Sequence, residues 1–133
     1  LAANTNPIFV LTPKVSQVRI STANTNLDGT GTLNDVITGG TNGTLVHRVN
    51  IIATGTTTAG VIRFYIYDGT NNRFWDEVAV TAATPSATVR AFKARILSPD
   101  LQTSLLVLPS TYVLRCAPYN AETFDVSAFG GDY

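Results

Sequence analysis

The sequence predicts an all-β domain, an antiparallel β-sandwich for which a jelly roll is the economical arrangement. Three observations lead there. Apolar residues alternate with polar ones at period two in at least five segments. Those segments are rich in β-branched and aromatic residues. Turn residues separate them at spacings close to the roughly 8–12 residues of a sandwich or barrel.

Ile8–Thr12 has the composition of a first strand, but Pro7 and Pro13 flank it. Neither proline has the N–H that a ladder needs, and each disfavours helix in the residue before it. Residues 1–13 therefore read as an extended arm and residues 14–133 as one domain. Val15–Ser21 and Leu33–Thr38 read as strands, joined by the Asn- and Gly-rich loop Asn24–Thr32. Leu45–Ala53 sets Leu45, His47, Val49, Ile51 and Ala53 on one face, which predicts a mostly apolar side that includes the histidine. Val61–Tyr67 sets Ile62, Phe64 and Ile66 against Val61, Arg63, Tyr65 and Tyr67. Bulk on both faces predicts a central strand whose second face is partly covered.

The turn Asp68-Gly69-Thr70-Asn71-Asn72 leads into Arg73–Val80, with Phe74, Val78 and Val80 assigned to one face. The Asp-Gly and Asn-Asn steps offer the positive φ of a tight hairpin, so the two strands should pair antiparallel. Thr88–Leu97, Tyr112–Ala117 and Thr123–Phe129 complete the set. Gly39–Thr44, Thr54–Gly60 and Thr81–Ser86 are loops by composition. Leu101–Leu108, between Pro99 and Pro109, fits a short helical turn or a strand equally well.

The 133 residues suit a single domain. About two-thirds of the unfolded surface is buried at this size, which is enough core to fold without metal or disulfide staples. Charged residues make up 14% of the chain, against roughly 25% in an average soluble domain, and Thr, Asn, Ser and Gly take their place. Such a surface loses little side-chain entropy against a neighbour and has little like charge to repel a copy of itself. The composition therefore points to life inside an assembly. Net charge is zero and no Lys/Arg cluster exists, so nucleic acid is not an expected partner. No apolar run reaches the ~18 residues of a membrane span, so a membrane is not expected either.

Catalytic patterns are scarce. His47 is the sole histidine and Cys116 the sole cysteine, so the usual zinc and triad sets cannot be assembled, and both read as structural. Asp76 and Glu77 are adjacent carboxylates, but strand neighbours point to opposite faces, so they cannot flank one glycosidic bond. An exposed pair, or one salt-bridged to Arg63 across the hairpin, is the simpler role. The Asp68–Asn72 turn lacks the spacing and the closing Glu of a calcium loop. Asn42-Gly43-Thr44 matches a glycosylation triplet, and an Asn-Gly turn explains it as well. The expectation is no enzyme, no metal and no cofactor. Tyr65, Tyr67 and Trp75 are the candidate recognition rings, for a sugar or a partner's pocket, set against simple packing under a loop. Ile8, Phe9 and Leu11 in the arm must find a groove on their own domain or a neighbour, since leaving them in water costs several kcal/mol at ~25 cal/mol per Å². Tyr133 is a second plug, on a joint expected at Gly130-Gly131.

Both ends of the chain carry a further signal. Ala2-Ala3-Asn4-Thr5-Asn6-Pro7-Ile8-Phe9-Val10-Leu11-Thr12-Pro13 and Phe129-Gly130-Gly131-Asp132-Tyr133 resemble a family of small tailed-phage virion structural proteins. Thr58-Ala59-Gly60, Asp76-Glu77-Val78 and the Leu108-Pro109 corner before Tyr112 resemble it as well. The resemblance implies a non-enzymatic protein on the outer capsid surface, decorating or cementing the shell. Its partners would be copies of itself, with a trimer suiting a three-fold site, and the major capsid protein. A receptor- or glycan-binding module of a tail or fibre is the alternative.

Overall fold

The computed structural model describes residues 10–97 and 106–133. Nine strands are found among them: β1 (Thr12–Ile20), β2 (Asn34–Thr38), β3 (Thr44–Ala53), β4 (Gly60–Tyr67), β5 (Asn72–Val80), β6 (Lys93–Ile96), β7 (Leu106–Leu108), β8 (Val113–Pro118) and β9 (Phe124–Asp132). No helix occurs among the described residues. The strands form two antiparallel sheets packed face to face, a β-sandwich. One runs β1-β9-β3-β6, with β7 also on β3, and the other runs β2-β8-β4-β5.

The pairing is nested. The β4–β5 hairpin is innermost; outside it β3 pairs with β6 and β7, then β2 with β8, then β1 with β9. Period-two apolar residues from both sheets meet in one core, which includes Ile20, Val36, Val49, Ile51, Ile62, Phe64, Leu114, Cys116, Phe124 and Val126. Phe92 stands edge-on to Phe124, with ring centres 6.1 Å apart. A buried side chain of this size contributes about 1.5–3 kcal/mol over its exposed state.

Two bulges alter the facing read from strict alternation. In β3 the register against β9 shifts between Val46 and Arg48, with His47 as the extra residue. Val46 and Val49 are therefore both buried, and Leu45 and His47 leave the core face to which alternation assigned them. In β5 the register against β4 skips Trp75, between Asp76 opposite Phe64 and Phe74 opposite Tyr65. Val78 and Trp75 pack against the core, whereas Phe74 is 43% exposed and meets Tyr65 on the outside. A bulge inserts one residue and turns the residues beyond it to the other face.

Other boundaries moved too. Thr88–Leu97 contributes only Lys93–Ile96 as strand; of Leu101–Leu108, residues 106–108 form a strand and residues 101–105 lie outside the described residues. Pairing starts at Thr12, inside the stretch read as arm. Pro13 is tolerated because β1 is an edge strand, paired only with β9. The hairpin turn takes its positive φ from Gly69 alone, not from the Asn-Asn step. Asp68 Oδ1 accepts from the N–H groups of Thr70 and Asn71, which holds that carboxyl below its usual range.

Gly130-Gly131 is not a flexible joint. Both residues lie in β9 and pair with β1 and β3 at once. A Cβ on Gly130 would stand 1.7 Å from the Leu45 carbonyl oxygen, so the strands approach more closely than any side chain permits.

Candidate functional site

Three places on the sandwich gather the residues of interest. The outer face of the β2-β8-β4-β5 sheet holds Tyr65 and Tyr67. Tyr65 is 1% exposed, and its hydroxyl donates to the Asn26 carbonyl at 2.8 Å. Asn24 orders the loop that covers it: its Nδ2 donates to the Thr30 and Thr32 carbonyls, and its Oδ1 accepts from Asn26 N–H. Asn72 Nδ2 ties the hairpin to the same loop at Gly29. Burial pushes the Tyr65 phenol above its ordinary pKa. Beside it the Arg115 guanidinium lies 4.0 Å from the Tyr67 ring centre and bonds Asp35 at 2.7 Å. Arg63 pairs with Glu77 at 3.6 Å across the hairpin, as the sequence suggested.

The three candidate rings do not form one platform. Tyr65 is sealed under a loop, Tyr67 is stacked on a guanidinium, and Trp75 packs towards the core. Trp75 also borders an open pocket of about 350 Å³ on β5, with Phe74, Asp76 and Glu77. A second shallow pocket, about 370 Å³, lies between β1 and β9 over the Arg19–Asp125 ion pair, whose two contacts measure 2.8 and 3.1 Å.

The second place is the end of the sandwich where both ends of the described chain meet. Leu11 N–H donates to the Asp132 carbonyl, and Tyr133 N–H donates to the Gly43 carbonyl. Asp132 Oδ1 accepts from the Thr44 hydroxyl and from Lys14 Nζ, which also donates to the Thr38 carbonyl. The Thr44 bond, with Lys14 behind it, draws the Asp132 carboxyl below its usual range. Thr44 also accepts from Gly40 N–H, so the hydroxyl of the Asn42-Gly43-Thr44 triplet is buried and occupied. The sequence singled out Leu11, Tyr133 and the Asn42-Gly43-Thr44 triplet one by one, but not this clasp. Its members are far apart along the chain, and only the fold brings them together.

The third place is the outer face of β1-β9-β3-β7. Pro13, Gly131, Leu45 and Val107 are register partners in one row, with Val15 and Phe129 in the next. Leu11, Val15 and Val107 are 82%, 60% and 52% exposed. The Val10 side chain lies over Gly131, where a Cβ would meet it at 2.6 Å. Arg48 covers the Phe129 ring at 4.6 Å. Leu11 was a candidate contact from the sequence; Val15, Leu45, Val107 and Phe129 were not. Ile8 and Phe9 lie outside the described residues. Tyr133 is half-buried beside Gly43.

Among the described residues no group of three His, Cys, Asp or Glu side chains could hold a metal. His47 is a half-buried bulge residue, and burial pushes the Cys116 thiol up to about 12. No helix among the described residues is long and apolar enough to cross a membrane. Compared with protein-family models, curated proteins and solved structures, the chain finds no match in any of the three.

Proposed function

We propose that this protein is a non-enzymatic virion structural protein that decorates or cements the outer capsid surface of a tailed phage. Its partners would be copies of itself and the major capsid protein. The observation that carries the reading is the set of exposed apolar residues Pro13, Val15 and Val107 around the half-buried Leu45, on a chain with few charges. A contact within an assembly would bury such a surface. The terminal segments that resemble phage virion proteins flank this surface: Val10–Pro13 leads onto it and Phe129–Asp132 runs through it. The nested strand order supports reading the sandwich as a jelly roll, an architecture used by capsid and lectin domains. Each copy would add a modest contact, and many copies together would tie neighbouring capsomers against internal pressure.

A receptor- or glycan-binding tail module has less support, because Tyr65, Tyr67 and Trp75 are spent on separate structural contacts. The test is to add purified protein to shells that lack it. Saturable binding at a fixed ratio to the major capsid protein, with a raised disruption temperature, is expected. Binding to host cell surface but not to shells would overturn the reading.

A further inference from the structure

We infer that the opening at the bulge of β5, bordered by Phe74, Trp75, Asp76 and Glu77, is a binding site for an uncharged sugar, a hexose or a short oligosaccharide of a surface glycan. This goes beyond the proposed function. The opening lies on the β2-β8-β4-β5 sheet, and the surface offered to the shell lies on the other.

In a regular strand consecutive side chains leave towards opposite faces, so four in a row do not border one opening. Here the extra residue at Trp75 bends the strand, and all four line a pocket of about 350 Å³. That volume falls within the ~300–1,000 Å³ of small-ligand sites. Phe74 keeps 43% of its surface in water, although its ring already meets Tyr65 with centres 5.5 Å apart. Trp75 is anchored against the core, so its ring is in place before a ligand arrives.

Rings and carboxylates side by side suit a sugar. The C–H groups of a pyranose carry slight positive charge and pack on the negative face of an aromatic ring. Its hydroxyls donate to carboxylates in charge-assisted bonds, which are roughly twice as strong as neutral ones. Both carboxylates have acceptor capacity to spare. Asp76 Oδ1 accepts from the Glu77 N–H, and the Glu77 side chain is half exposed and meets Arg63 at 3.6 Å. β5 is the last strand of its sheet, so its free edge adds backbone N–H donors for the sugar oxygens. Charge favours a neutral ligand over an ion. Arg63 on β4 and Arg73, Asp76 and Glu77 on β5 are the charged residues of these two strands, and they sum to zero.

Trp75 is the sole tryptophan, so its emission reports the site directly. Isolated protein is titrated with the methyl glycosides of glucose, galactose, mannose and N-acetylglucosamine. A saturable change with at least one of them is expected, half complete near ~1 mM, as a single shallow contact of this size allows. Phe74→Ala and Asp76→Asn should each weaken it about tenfold or more while keeping the β spectrum and cooperative melting. Tetramethylammonium, a cation that aromatic faces attract, should leave the emission unchanged. No saturation with any of the four sugars up to about 50 mM, roughly the weakest binding worth the name, overturns the inference. So does a response undiminished in either variant, or saturation by tetramethylammonium alone. Asp76→Asn should bind shells as the parent does. Its failure to do so would make the opening a shell contact and overturn the sugar assignment, whereas loss of sugar binding alone leaves the proposed function standing.

Discussion

The hydroxyl of Thr44, fully buried at the start of β3, donates to the carboxylate of Asp132 at the end of β9. Lys14 reaches the same carboxylate from β1 and the Thr38 carbonyl at the end of β2. One carboxylate thereby joins three strands of one sheet to the edge of the other.

Replacing Thr44 by Val keeps the shape but strands the Gly40 N–H and one Asp132 lone pair. The expected loss is about 1–2 kcal/mol, the cost of an unmet buried hydrogen bond. Urea unfolding with an unchanged m-value would measure it, and a loss below about 0.3 kcal/mol would show that the clasp is not stabilising.

The same clasp fixes a pH response. Asp132 and Asp125 have folded pKa values below the ordinary 3.8, through the Thr44 bond and the Arg19 bond respectively. In the acid range the unfolded chain therefore binds more protons than the folded one. Their stabilisation is present in full above the unfolded value and is lost as pH falls through the folded value. Melting temperature should be flat above about pH 5 and fall below 4. Asp132→Asn should flatten part of that fall, and an unchanged acid limb would refute the assignment.

Tyr65→Phe removes the hydroxyl that satisfies the Asn26 carbonyl and should cost about 1 kcal/mol. Spectrophotometric titration of the folded parent should show the Tyr65 phenol ionising above the ordinary value of 10, because Tyr65 is desolvated. In Tyr65→Phe that late component should vanish.

Gly130→Ala should cost about 3 kcal/mol or more, since the new methyl would overlap the Leu45 carbonyl. Thermal melting of this variant beside Gly69→Ala separates the causes. Gly69 has a positive φ but open space around it, so its penalty is backbone strain alone and should be the smaller.

Much of the fold was legible because half-buried strands write a period of two into the sequence. Ile62, Phe64 and Ile66 show it, and their strand lies where that pattern placed it. The bulges at His47 and Trp75 were not legible, since one inserted residue leaves no compositional mark yet reverses the facing of its neighbours. The surface around Val107 was hidden for a related reason. Its row joins Pro13, Leu45, Val107 and Gly131, four residues spread over nearly the whole chain and aligned only by ladder register. Tyr65, by contrast, was recognised as a covered or binding ring, and only the loop held by Asn24 decided between the two.

The nesting of the pairs also sets an order in time. β9 lies between β1 and β3, so neither has that neighbour until residues 124–132 exist, and Thr12 waits for a partner 120 positions later. The β4–β5 hairpin can close as soon as it is made, but the opposite sheet is assembled across its longest separations. Loop-closure entropy is then spent before those contacts repay it, which places folding in the slow, millisecond-to-second range of β-sandwiches. Newly made chains would hold Ile20 and Val49 in water meanwhile, so yield during expression should depend on temperature and on the rate of synthesis more than on final stability.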